Sequence, residues 1–289
     1  MSGAALAVGT LLVQSPHRKG IVTALSQLLS DHDVTVVDSS HFSDASTQMF
    51  FQRIDLDAGA MTDGARTSLE RALTAMAEHH GMSWRIRYPE QAKRIAIMVS
   101  KQEHCLYDLL IRHRAGELPC VVAAVISNHP DAGPIAQHFD VPFHHLPVTP
   151  ETKNRQESHA CEILDAARVD LVVLARYMQM LTPGFVGRYP HRIINIHHSF
   201  LPAFVGGHAY RQAHEKGVKM IGATSHYVTA DLDQGPIIEQ ATVRCTHRDS
   251  VDTLRRKGRD LETHVLATAV RLHLENRVMV AGGKTVVFD

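Results

Sequence analysis

The sequence predicts an α/β protein built from two successive units, and three observations carry that prediction. A chain of 289 residues exceeds the roughly 100–200 residues of one ordinary domain. As far as Tyr88 the patterning runs strand, helix, strand, strand, helix, strand. Beyond it, short apolar runs alternate with helical stretches, the pattern of a mostly parallel sheet covered on both faces.

In the first unit, Leu6 to Val13 reads as a strand and Gly20 to His32 as an amphipathic helix. Val34 to Phe42 and Met49 to Asp57 follow as strands, Asp63 to His80 as a helix, and Ser83 to Tyr88 as a strand. This βαββαβ order is that of a ferredoxin-like module. Pro89 to Lys93, charged and opened by a proline, reads as a linker, so the expected domains are 1–88 and 89–289. In the second unit the strands are Ile95 to Ser100, Val121 to Asn128, Val141 to His144, Leu171 to Ala175 and Ile193 to His197. Ser250 to Asn276 forms a long helix, with Leu254, Leu261, Val265 and Leu272 on its apolar stripe. No internal repeat or low-complexity segment interrupts this order.

Composition narrows the function classes. Lys plus Arg and Asp plus Glu both number 30, so no global basic field draws RNA or an acidic membrane. Cys105, Cys120, Cys161 and Cys245 form no Cys-x-x-Cys pair, which argues against a disulfide framework and a structural zinc site. Among the 21 histidines, His79-His80, His144-His145 and His197-His198 are adjacent. Neighbours in a strand face opposite ways and chelate poorly, and no His-Glu-x-x-His motif occurs, so no metal is expected. No Lys or Arg precedes the apolar Ala4 to Val8 run, and no run reaches the ~18 residues of a membrane span. A soluble, cytoplasmic protein is the expectation.

Function is written most clearly in Asn195-Ile-His197-His198-Ser199-Phe200-Leu201-Pro202 and, 36 positions after His197, Asp233-Gln-Gly235. The period of two in Arg192 to His197 puts Asn195 and His197 on one face and Ile194 and Ile196 on the other. The turn from Ser199 to Pro202 leaves the polar pair at the strand's carboxyl end, where open α/β sheets hold their ligand crevices. An amide donor, an imidazole and a carboxylate then suit attack on an acyl carbon: Asn195 and His197 hold the oxyanion and Asp233 orients or deprotonates water. Asp231 lies two positions away and competes with Asp233. His198 is expected to point away if the strand continues, in packing or supporting duty. Ser199 lacks a Gly-x-Ser-x-Gly setting and reads as a turn residue rather than a nucleophile.

Taken singly, Asn195 can be a strand-end residue, His197 a core histidine and Asp233 a turn aspartate. Their combination in Asn-x-His-x-Ser-x-Leu-Pro with a later Asp-x-Gly resembles the folate-dependent formyltransferases. Arg94 to Lys101, Leu174 to Gln179, Gly222 to Tyr227 and Lys257 to Glu262 resemble the hydrolytic branch, the formyltetrahydrofolate deformylases, and the likeness covers nearly the whole chain. It implies an ACT domain followed by a Rossmann-like formyltransferase domain. The implied activity is hydrolysis of 10-formyltetrahydrofolate to tetrahydrofolate and formate, with folate as substrate, no cofactor, and a role in one-carbon and purine metabolism. The resemblance assigns catalysis to Asn195, His197 and Asp233. It places Gln179, Met180 and Leu181 along the pterin, with Val228, Thr229 and Asp231 in the facing loop. Implied partners are a homodimer or homotetramer and a small amino-acid effector at the ACT domain.

Two segments depart from the family pattern: Ser15-Pro16-His17 where Cys-Pro-Asp is usual, and Gly206-Gly207-His208 where Gly-Ala-Asn is usual. Related glycinamide ribonucleotide formyltransferases carry a glycine-rich turn after the first catalytic strand, able to cradle an acceptor phosphate. This chain has no glycine between Ile95 and Ala115, which favours water over a phosphate-bearing amine. Transfer to another amine and a non-catalytic folate or amino-acid binding regulator are the alternatives.

Overall fold

The computed structural model describes residues 7–203 and 209–289. The Gly206-Gly207-His208 departure therefore lies outside the described residues. The chain divides into two compact units, 1–92 with 286–289, and 93–285.

The first unit contains β1 (Val8–Pro16), α1 (Ile21–Asp31), β2 (Val36–Asp44), β3 (Met49–Asp57), α2 (Asp63–His80) and β4 (Ser83–Arg87). Its four strands lie in the order β2-β3-β1-β4, every pair antiparallel. Strand alternation sends Leu11 and Val13 of β1 and Phe50, Ile54 and Leu56 of β3 into one core, where they meet Leu25 and Leu29 of α1 and Leu69 and Leu73 of α2. Thr62 starts α2 by accepting a hydrogen bond from the Ala65 N–H at 3.2 Å. This is the ferredoxin-like arrangement, compatible with an ACT-like domain. β2 lies at a sheet edge and is exposed along most of its length.

In the second unit come β5 (Lys93–Val99), α3 (His104–Arg114), β6 (Cys120–Ser127), α4 (Gly133–His138), β7 (Phe143–His145), α5 (Lys153–Ala166) and β8 (Leu171–Leu174). They are followed by α6 (Pro183–Arg188), β9 (Ile193–His197), α7 (Ala209–Glu215), β10 (Met220–Tyr227), β11 (Ile237–Arg244) and α8 (Val251–Leu274). The two short strands β12 (Val278–Ala281) and β13 (Lys284–Val287) pair with each other at the end of the chain. The seven-stranded sheet has the order β11-β10-β9-β8-β5-β6-β7. Its β9-β8-β5-β6-β7 portion is parallel, whereas β10 is antiparallel to both β9 and β11. Buried Ile95, Ile97, Val125, Val172, Val173 and Ile194 make the central strands apolar on both faces, as a sheet covered by helices requires.

Two local readings change in the structure. β9 ends at His197, so His198 belongs to the following turn and does not continue the alternation. On α8 the buried face runs through Leu254, Gly258, Glu262, Val265 and Leu266, while Leu261 is only half-buried. A stripe drawn through apolar letters alone misses a buried carboxylate at its centre.

At the other end of α8, Lys93 supplies a cap from a remote strand. Its Nζ donates to the carbonyls of His273 at 2.5 Å and Leu274 at 3.0 Å and to Asn276 Oδ1 at 2.7 Å. Both carbonyls lie in the last turn of the helix, where a cation also meets the negative end of the helix dipole. Lys93→Met removes the donor from the Leu274 carbonyl and Asn276 Oδ1, while the His273 carbonyl keeps the Asn276 N–H at 3.2 Å, and is expected to cost about 1–3 kcal/mol, read as a lower urea midpoint at unchanged slope.

Candidate active site

At the carboxyl end of β9, Asn195 and His197 stand on the floor of a cleft of about 300 Å³. The antiparallel register sets His226 of β10 opposite Asn195 and Thr224 opposite His197. The loop after β10 returns Asp233 to the same place. Asp233 Oδ2 lies 3.3 Å from His197 Nδ1, and Oδ1 lies 3.8 Å from His226 Nε2. Asp231 also lines the cleft but is exposed, and no ion pair ties it to either histidine among the described residues. Asp233 is thus the carboxylate that meets the imidazoles.

Proton positions follow from the partners. A carboxylate in its ionised form only accepts, so His197 presents Nδ1–H to Asp233. Its Nε2 is buried and makes no hydrogen bond. The hydrogen bond from His197 holds the Asp233 carboxyl below its ordinary range, outweighing the opposing effect of burial. His226 Nδ1 donates to the Tyr227 carbonyl at 2.9 Å, which leaves Nε2 to face the Asn195 amide nitrogen at 3.4 Å. Burial depresses the His226 pKa and keeps the ring in this neutral, accepting form. That contact fixes the Asn195 amide, with its nitrogen toward His226. Ser225 Oγ donates to the Asn195 carbonyl at 3.1 Å and steadies the backbone beneath.

The surrounding turns are held from several elements. Thr224 Oγ1 donates to the Ser199 carbonyl at 2.8 Å and accepts from the Leu201 N–H at 3.0 Å and Gln240 Nε2 at 2.9 Å. Ser199 Oγ donates to the Ala203 carbonyl at 2.7 Å, the bonding of a turn residue. His198 is buried and lines the cleft, its ring centroid 5.2 Å from that of His197. It therefore faces the site rather than away from it, because the strand stops one residue earlier.

Gln179, Met180, Leu181, Val228, Thr229 and Asp231 all line the same cleft. Lys153 on α5 donates to the Met180 carbonyl, and Glu157 accepts from the Thr182 N–H at 3.0 Å, so this rim is anchored to a helix. Met180 is 65% exposed, a large apolar surface left open at the mouth. Gln179 to Leu181 and Val228 to Asp231 thus bring two loops, one after β8 and one after β10, to the lining of one cleft.

Two lining residues were not anticipated. His226 sits inside the quoted Gly222 to Tyr227 segment, and reading that segment as a strand with period two would have turned it toward Asn195. Arg176 follows β8 with a left-handed backbone, φ 62°, and is buried against Glu262, Nε to Oε2 3.4 Å. Glu262 also receives His104 Nε2 at 2.7 Å and the Tyr210 hydroxyl at 2.6 Å. Burial works to raise the Glu262 pKa, but the His104 bond and the Arg176 charge prevail and hold it below its ordinary value. His104, Cys105 and Glu262 are the grouping of metal-ligand types found among the described residues. It suits a cation poorly: Arg176 already supplies the positive charge, and burial pushes the Cys105 thiol well up, away from the thiolate a metal needs.

Comparisons with known proteins place the whole chain in a family. Residues 93–270 match the formyl transferase family model, which sets the class: a formyl transferase. Formyltetrahydrofolate deformylase of Synechocystis sp. is 49% identical over 96% of this chain and 98% of its own, and that of Bacillus subtilis is 45% identical over 97% and 94%. The crystal structure of a formyltetrahydrofolate deformylase from Pseudomonas syringae pv. tomato matches with TM-score 0.95 and 45% identity, covering 100% of this chain and 96% of that one. Glycinamide ribonucleotide transformylase 1 of Symbiobacterium toebii matches with TM-score 0.66 and 37% identity over 70% of this chain and 97% of its own. The chain belongs to the formyl transferase family and, within it, to the formyltetrahydrofolate deformylases.

The short Asp-x-Gly spacing has a steric cause. A Cβ on Gly235 would lie 1.7 Å from the Tyr227 carbonyl oxygen, so only glycine lets this loop pass against β10 and deliver Asp233. Gly235→Ala is expected to fold with a displaced loop and to lose at least ~100-fold in turnover. A crystal structure of that variant with Asp233 still beside His197, or turnover near the parent rate, contradicts this account.

Proposed function

We propose that the chain hydrolyses 10-formyltetrahydrofolate to tetrahydrofolate and formate, with Asn195, His197 and Asp233 as the catalytic groups. The observation that carries this reading is the convergence of an oriented amide, an imidazole with a buried unbonded Nε2, and an ionised carboxylate at the floor of one cleft. The relatives over the whole chain act, by name, on formyltetrahydrofolate.

The formyl amide is resonance-stabilised, so its carbon accepts water only if the developing oxyanion is held. Asn195 Nδ2–H and His197 Nε2–H are the donors, each worth about 3–4 kcal/mol by the usual scale of such groups. Asp233 sustains the charge on His197 and accepts a proton from the attacking water. The tetrahedral adduct then expels the folate nitrogen, which takes up a proton as the C–N bond breaks, and formate remains. Gln179, Met180, Leu181, Val228, Thr229 and Asp231 border the pterin. Side chains serve every step, so the reading includes no metal and no organic cofactor. Water is the acceptor rather than an amine because the turn after β5 lacks the glycines of a phosphate cradle. The product formate feeds one-carbon and purine metabolism, and a cytoplasmic location fits that chemistry.

Single-turnover formate release from chelator-treated protein, with water as sole acceptor, tests this. Asp233→Asn is expected to keep folate affinity and lose at least ~100-fold in rate, whereas Asp231→Asn stays within a few-fold of the parent. The contribution of Asp233 to the rate should be lost on acidification only below the ordinary carboxylate pKa of 3.8, because its folded value is lowered, and the Asp233→Asn variant should lack that limb of the pH profile. Strict dependence on an amine or a divalent metal sinks the hydrolytic reading.

The first unit, residues 1–88, we read as an ACT-like regulatory and oligomerisation domain, the rest being the catalytic domain. β2 offers an unpaired edge with Val36, Val37 and Phe42 exposed, a surface that a second copy can cover. A closed homodimer or homotetramer follows, with a small amino-acid effector as the candidate ligand of the unit. Light scattering is expected to give an even-numbered assembly, weakened by Val37→Lys. A monomer at micromolar concentration overturns it.

A further inference from the structure

Beside the cleft lies a second cavity of about 350 Å³, and the two share Arg176 and His198. Gln102, Tyr210, Arg255, Arg259 and Glu262 complete its walls. Three guanidinium groups face one carboxylate, so the cavity is net positive. Glu262 is already engaged by His104 and Tyr210. Arg176 is 6% exposed, and its Nε is buried without a hydrogen bond although Glu262 is near. Arg255 is paired with Asp252 at 2.7 Å, while Arg259, one turn further along α8, makes no ion pair among the described residues. The left-handed backbone at Arg176 is unfavourable for a residue with a Cβ. Such outliers persist where the surrounding structure over-determines them, and here the Ser100 N–H holds the Arg176 carbonyl at 3.3 Å.

We propose that this cavity receives formate as it leaves the cleft, with Arg176 and Arg259 as its counter-ions. The inference rests on the hydrolytic reading. Water adds to the formyl carbon, the C–N bond breaks, the folate nitrogen gains a proton, and the acid formed loses one. The product is therefore an anion made beside the ionised Asp233, which repels it, while the folate still fills the cleft. Arg176, shared by both cavities, is the attractive group at their junction, and a guanidinium matches a carboxylate with two parallel hydrogen bonds. Formate thus departs on the side away from the pterin.

The test is binding of added [13C]formate to the full chain, followed by its line broadening, with the protein saturated by tetrahydrofolate. Formate is expected to bind while the folate is in place, and Arg259→Gln to weaken it about tenfold or more, the scale of a lost charge-assisted bond. Arg256→Gln, outside this cavity, should leave the affinity unchanged. Formate displaced by tetrahydrofolate, equal affinity in Arg259→Gln, or inorganic phosphate binding tenfold more tightly than formate would each overturn the assignment. Because formate is supplied, binding is read independently of turnover. A chain that binds it in this way yet releases none from 10-formyltetrahydrofolate overturns the hydrolytic reading, and the product assignment with it.

Discussion

The antiparallel register between β9 and β10 is the constraint on which the site depends. It sets His226 across from Asn195 and Thr224 across from His197, so one strand carries the reactive groups and its neighbour orients them. A slip of one residue would turn His226 and Thr224 to the opposite face and release both the amide and the Ser199 to Pro202 turn. The same strand receives the returning loop, since the Tyr227 N–H donates to the Pro236 carbonyl at 2.9 Å. Pairing, turn and carboxylate placement are therefore one cooperative arrangement, and damage to any part reaches the others.

Behind it lies a second arrangement built around Glu262. An ionised carboxylate at 1% exposure is tolerable only with partners, and it has His104, Tyr210 and Arg176. α8 makes room for them: a Cβ at Gly258 would stand 2.0 Å from the Tyr210 hydroxyl. The phenol therefore lies directly on the helix backbone and reaches Glu262 one turn on. Removing one partner leaves the buried carboxylate with two, so the loss exceeds that of an exposed bond of the same kind.

How much of this could be read from the letters varies with the kind of interaction. Strands and helices of the first unit follow from period-two and period-3.6 patterns because each buries one apolar face. Alternation puts Asn195 and His197 on a common face, whereas the preference for Asp233 over Asp231 comes only from the resemblance to the formyltransferases. β10 gives no strand signal because its buried residues, on both faces, include Thr224, Ser225 and His226, polar groups whose burial is offset by partners that no local pattern reveals. His198 was misdirected because strand ends are set by the following turn, not by the alternation before it. Arg176 and Glu262 were invisible for the same reason as β10. A charged residue reads as surface until its distant counter-charge is known.

The bond between Lys93 and Asn276 joins residues 183 positions apart, the first strand of the second unit and the turn that ends its longest helix. Entry and exit of that segment therefore lie side by side. Its backbone is topologically close to a ring, and a circular permutant could join the two ends through a short linker and reopen the chain at an exposed loop such as Gly116–Glu117.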